Sequence, residues 1–186
     1  MDYQQCRLGV RAVSGSVNER TLVATVLPPG VFCGNSLLVA KHGCLKGDDM
    51  LAIVAMLNSF IMDSFLRQRV SQNINMFYLY QLPVPRLTEK DAAFRPIVDR
   101  AARLICTTPE FDDLAKEVGL KSHKHGATDS AERAKLRAEL DGLIAHLYGL
   151  TEEEFAYILT TFPLVPDDIK IAAHNAFRNV EKGLIK

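Results

Sequence analysis

Between Met50 and Leu66 the chain carries Met50, Ile53, Val54, Leu57, Phe60, Ile61, Phe65 and Leu66 at helical spacing. The apolar face this makes is so broad that the helix has to lie beneath other structure. Asn58, Ser59, Asp63 and Ser64 interrupt it, which makes it too polar for a good membrane span and suits a helix buried in a soluble fold. Asp48 or Asp49 is placed to cap its start, where a side-chain oxygen can accept from free backbone amides. Asn58 and Ser59 are expected against backbone groups.

The residues around this helix separate into two compositions. Ahead of it, Cys6 to Val13 and Thr21 to Leu27 read as strands, joined through Ser14-Gly15-Ser16 and stopped by Pro28-Pro29-Gly30. Val31 to Cys33 and Ser36 to Val39 read as two shorter strands, and the chain begins as if cut from the middle of a longer sheet. Behind it, Pro83 and Pro85 force an extended exit. From Thr88 onward helix formers dominate. Helices are expected over Asp91 to Cys106 (with Pro96 kinking or breaking it), Pro109 to Val118, and Ala131 to Leu147 with a seam of Leu136, Leu140, Leu143 and Leu147. A short helix opens on a capping box at Thr151 and Glu154, and a last one follows Pro166. Lys121 to Asp129 is expected as a flexible loop. The fold class expected is α+β: a small, mostly antiparallel β domain packed on a buried helix over residues 1–86, then a helical region over 87–186.

Charge narrows the function classes. The 186 residues carry 22 basic and 22 acidic side chains, which argues against a protein that coats nucleic acid. Residues 1–86 hold 8 Lys and Arg against 5 Asp and Glu, so a local basic face is allowed. Cys6, Cys33, Cys44 and Cys106 lack both Cys-x-x-Cys spacing and a histidine pattern, and read as reduced thiols.

Arg67 to Pro85 reads Arg-Gln-Arg-Val-Ser-Gln-Asn-Ile-Asn-Met-Phe-Tyr-Leu-Tyr-Gln-Leu-Pro-Val-Pro. Arg67, Arg69, Asn73 and Asn75 are types that pair with purine edges, and Ser71 and Tyr78 suit phosphate. Met76 to Tyr80 has the β-propensity of a half-buried strand. This stretch, with Leu57-Asn58-Ser59 before it and Gln81-Leu82-Pro83-Val84-Pro85 as its exit, resembles the end of a target recognition domain. The family is the Eco57I-like and type IIG, ISP-like adenine-specific DNA methyltransferases of restriction–modification and phage-defence systems. Arg11, Ser16-Val17-Asn18-Glu19-Arg20-Thr21, and Leu140-Asp141 leading into Leu147-Tyr148-Gly149-Leu150-Thr151-Glu152-Glu153-Glu154-Phe155 extend the resemblance, in the same order, over most of the chain.

The resemblance implies a prokaryotic, cytoplasmic sequence reader of double-stranded DNA, part of a polypeptide whose other domains bind S-adenosylmethionine and methylate adenine. It makes Arg11 and Arg20 the preferred contacts outside the Arg67–Tyr80 segment, with Asn18 and Asn35 weaker ones and Lys41-His42-Gly43 able to line the same face. The motif around Asn18 faces either DNA or the protein framework. The catalytic segments themselves are missing. Leu27-Pro28-Pro29-Gly30 lacks the polar and aromatic members of an Asn/Asp-Pro-Pro-Tyr/Phe site, and neither a phosphate loop nor a hydrolase elbow is present. The chain alone is expected to be no enzyme and to hold no metal or cofactor. The competing expectation is a helical scaffold that docks other domains without touching DNA, favoured if the Ala131–Leu147 helix exposes its seam.

Overall fold

The computed structural model describes residues 2–41 and 43–186. The fold is α+β. Three strands, β1 (Arg7–Arg11), β2 (Ala24–Leu27) and β3 (Leu37–Val39), form an antiparallel sheet with β1 in the centre. Val31 to Cys33 lies outside the sheet.

The apolar segment forms two helices, α1 (Gly47–Leu57) and α2 (Phe60–Arg67), bent by 61° at Asn58 and Ser59. The bend has a polar cause. Asn58 turns its amide onto β2, with Nδ2 donating to the Ala24 carbonyl at 2.8 Å and Oδ1 accepting from the Ala24 amide at 3.0 Å. Those bonds occupy the open edge of β2, which would otherwise leave backbone groups unpaired. Ser59 then caps α2, its hydroxyl accepting from the Met62 amide at 3.2 Å. Neither Asp48 nor Asp49 caps α1. The cap is Lys46, both aspartates sit in the first turn, and the Gly47 amide donates to Glu117 at 2.9 Å. Among the described residues no single helix is long and apolar enough to cross a membrane.

A short turn of helix, α3 (Met76–Leu79), replaces the strand expected over Met76 to Tyr80. Among the described residues the chain here touches the end of β1 only through the isolated Val13–Asn73 bridge, and past it the β-propensity of the segment yields to local i to i+4 bonding. Tyr80 N–H donates to the Met76 carbonyl at 2.9 Å.

The rest is helical: α4 (Phe94–Ile105), α5 (Asp112–Glu117), α6 (Ser130–Leu147), α7 (Glu152–Thr160) and α8 (Asp167–Glu181). The Thr151 and Glu154 capping box is formed reciprocally at the start of α7. Lys121 to Asp129 is anchored where a flexible loop is expected. His123 to His125 forms a 3₁₀ turn, Asp112 accepts from the His123 backbone N–H at 2.8 Å and lies 2.8 Å from its ring Nδ1, and Ala127 is fully buried.

The larger hydrophobic core joins α1 and α2 to α4, α6, α7 and α8 through Leu51, Phe60, Ile97, Ile144, Phe155 and Phe177. A smaller one gathers Val10, Leu22, Met62, Leu66, Ile74 and Leu82 under the sheet. The buried helices therefore serve both the 1–86 and 87–186 segments. On α6, Leu136, Leu140 and Leu143 are buried, so most of the leucine seam lies inside the bundle.

At the α6–α8 crossing, a β-carbon on Gly142 would stand 2.7 Å from the Ala176 carbonyl carbon and 2.8 Å from the Phe177 nitrogen. Both neighbours are backbone and cannot rotate away. Gly142→Ala should force the helices apart and cost about 1–3 kcal/mol, read from urea denaturation. An unchanged midpoint would mean the crossing adjusts freely.

Candidate nucleic-acid interface

Four of the side chains that the sequence nominates for DNA hold the fold together. Arg20 donates through Nε to Asp63 at 2.7 Å and through Nη2 to the Asn58 carbonyl at 2.6 Å. Its guanidinium lies 4.4 Å from the centre of the Phe60 ring. Asp63 is wholly buried and also accepts from the Thr21 and Leu22 amides at 3.1 and 3.2 Å. Arg67 is 9% exposed, donates to the Ser16 carbonyl at 2.9 Å, and stacks 4.2 Å from the centre of the Phe162 ring. Arg11 donates to Ser14 Oγ and the Arg20 carbonyl at 2.8 and 2.7 Å, and Asn18 accepts from the Gly15 amide at 3.0 Å. A buried or internally paired guanidinium is not available to a base edge, so Arg11, Arg20 and Arg67 are framework residues in this fold, while Asn18 is exposed with its side-chain oxygen turned to the Gly15 amide. Together they fasten the Ser14–Thr21 turn to α2.

The remaining nominated residues lie where a ligand can reach them. Arg69, Ser71, Asn73 and Asn75 are exposed, and no side-chain hydrogen bond engages them among the described residues. Tyr78 is half-buried and packs on the smaller core. Asn35 and Lys41 are exposed, and His42 lies outside the described residues.

The backbone beneath these side chains is firmly held. Ile74 is 1% exposed and its N–H donates to the Ala12 carbonyl at 2.7 Å, while the Ser14 N–H donates to the Gln72 carbonyl at 3.0 Å. Val13 bridges Asn73, and any side chain at Gly15 would collide with the Ser71 carbonyl. At the far end Leu82 is buried, and the Tyr148 hydroxyl donates to the Pro83 carbonyl at 2.8 Å. Burial pushes that phenol up to about 12, so it remains a donor. The result is a segment with a fixed main chain and unengaged polar side chains.

Residues 64–88 contain Arg67, Arg69 and Arg86 and no Asp or Glu. Of these, Arg67 is engaged inside the fold, and Arg69 and Arg86 are exposed.

Comparison with protein-family models, curated proteins and solved structures finds no match to this chain.

Sequence reading passed over Phe77 and Tyr80, which are 67% and 79% exposed on this surface. As members of a strand they would point to opposite faces. On a helical turn, positions i and i+3 share one side, and only the turn reveals them as a pair.

A cavity of about 790 Å³ opens between β2, α1, α4, α6 and the start of α8. Its polar lining includes Arg20, Asn58 and Asp141, each engaged by groups already described or by the Phe60 amide, which donates to Asp141 at 2.9 Å. Burial pushes the Asp141 carboxyl up to about 6 against the pull of Arg20.

Proposed function

We propose that this chain is the DNA sequence-recognition module of a larger restriction–modification or phage-defence methyltransferase, directing a catalytic part that lies outside these residues to its target. The observation that carries the reading is the Arg69–Asn75 surface: four exposed side chains suited to base edges and phosphate, on a backbone pinned from below, in a stretch free of carboxylates. A reader needs such rigidity, because direct readout depends on donors and acceptors held in register with the base edges. The resemblance of the segment to target recognition domains points the same way. Arg11, Asn18, Arg20 and Arg67 act one step back, by setting the position of that surface. S-adenosylmethionine belongs to the parent enzyme's catalytic part, and double-stranded DNA and that part are the partners of this module.

The test is fluorescence anisotropy of the chain with a randomised duplex pool over a salt series, followed by sequencing of the retained DNA. Salt-dependent binding with an enriched motif is the expected result, the slope giving the number of phosphates engaged. Absence of binding at low salt, repeated with the full-length polypeptide, would replace this reading with that of a protein-docking scaffold.

Arg69→Ala is the clean side-chain test. It should leave stability within about 0.5 kcal/mol, as for other exposed positions. A lost bidentate base contact should weaken the selected site by about 1–3 kcal/mol. Unchanged affinity for that site would remove Arg69 from the interface. Arg67→Ala cannot serve the same purpose, since it also removes support from the Ser16–Asn18 turn.

A further inference from the structure

We infer that Phe77 and Tyr80 form an unstacking wedge, two rings that press between neighbouring base pairs and open or kink the duplex at the recognised site. The inference rests on the reading of this surface as a DNA face and goes beyond it in naming a deformation of the DNA.

The starting point is an apolar group that the fold leaves uncovered. None of the four residues of α3 is buried, and Met76, Phe77 and Tyr80 are 40%, 67% and 79% exposed. Phe60, Phe155 and Phe162 are fully buried, whereas Phe32 and Tyr157 are also exposed, at 77% and 71%; Phe77 and Tyr80 differ in sharing one side of a single helical turn. Phe77 meets Tyr78 edge-on, with ring centres 5.6 Å apart, and this contact covers little of its faces. Such rings in water mark a surface that works against a partner.

The turn that carries them is stiff. Its main chain is closed by bonds from Tyr78 N–H to Asn75 O at 3.0 Å and from Tyr80 N–H to Met76 O at 2.9 Å. Buried Ile74 and Leu82 anchor it on either side. Phe77 and Tyr80, at i and i+3, therefore project side by side from a support that does not fold away under load. A wedge needs this property, because unstacking a base step costs free energy that a flexible arm would avoid by bending.

The surroundings select the partner. Arg69, Asn73 and Asn75 precede the rings in the chain as exposed cationic and hydrogen-bonding groups, and the same stretch of sequence supplies no carboxylate to repel phosphate. Apolar rings preceded this way match a polyanion whose interior is a stack of π faces. Insertion of apolar side chains at a base step and stacking of aromatics on bases are both established modes of nucleic-acid recognition.

The experiment uses the full 186-residue chain with short duplexes of the retained sequence, 2-aminopurine being placed at each adenine position in turn. Unstacking relieves the quenching of this base analogue. The chain should raise fluorescence several-fold at one step, and Phe77→Ala with Tyr80→Ala should abolish the rise while salt-dependent anisotropy binding persists. Both side chains are exposed, so the variant should keep its urea midpoint, and Phe77→Trp should retain the signal. Binding without a rise at any step, or a rise that survives the double substitution, overturns the wedge and leaves the DNA reading intact. Absence of salt-dependent binding by the wild-type chain overturns the DNA reading and the wedge with it.

Discussion

Asp63→Ala should destabilise the fold by about 3–5 kcal/mol, seen as a lower urea midpoint with little change in slope. The carboxylate is wholly buried and accepts from three donors: the Arg20 guanidinium at 2.7 Å and the Thr21 and Leu22 amides at 3.1 and 3.2 Å. Alanine would leave a largely buried guanidinium without its counter-charge and two buried amides without an acceptor, and each orphaned group carries its full desolvation cost. Asp63→Asn keeps an acceptor oxygen but no charge and should fall between the two. Arg20→Met combined with Asp63→Leu separates the components. It removes the stranded charge yet still orphans the amides, so it should recover part of the loss. Full recovery would show that the amides find other partners, and an effect of Asp63→Ala below 1 kcal/mol would show that water reaches the site.

The same network shows why the arginines could not be assigned from sequence. Arg20 and Asp63 are 43 positions apart, and Arg67 meets Ser16 across 51. A local reading sees a cation beside polar neighbours and cannot see which carboxylate or carbonyl the fold brings to it. Features whose causes are local were legible: the Thr151 and Glu154 capping box, the helix after Pro166, the leucines of α6, and the polar interruption at Asn58 and Ser59. The bend at that interruption was not, because Asn58 breaks the helix by bonding to Ala24 on β2. The Met76–Tyr80 segment failed for a related reason. Its residues favour a strand, but a strand requires a partner strand in register, and which segments pair is a property of the whole sheet. Arg69, Ser71, Asn73 and Asn75 remain candidate contacts because their side chains are the ones the tertiary structure does not use.

Asp141→Asn should change how stability depends on pH. In the native state burial holds the Asp141 proton up to about 6, against an ordinary value of 3.8. Between those values the native chain binds more protons than the unfolded one, so stability falls as pH rises. The favourable contribution is complete below about pH 4 and lost above about pH 6. The difference between the two pKa values corresponds to about 3 kcal/mol. Asparagine can still accept from the Phe60 amide that Asp141 now engages at 2.9 Å, and it carries no charge to desolvate. The variant should therefore gain on the wild type by about 3 kcal/mol as pH is raised from about 4 to 7. Asp91, Asp112 and Glu152 are held below their usual range by hydrogen bonds from Thr88, His123 and Arg178, and they oppose this trend at low pH. They are common to both proteins and drop out of the difference curve. Urea denaturation of the pair at several pH values measures it directly. A variant that loses stability at pH 8 would show that the carboxylate charge at the start of α2 stabilises the helix more than its burial costs. Asp141 would then act as Asp63 does, as a buried acceptor whose bonds to backbone amides outweigh its burial.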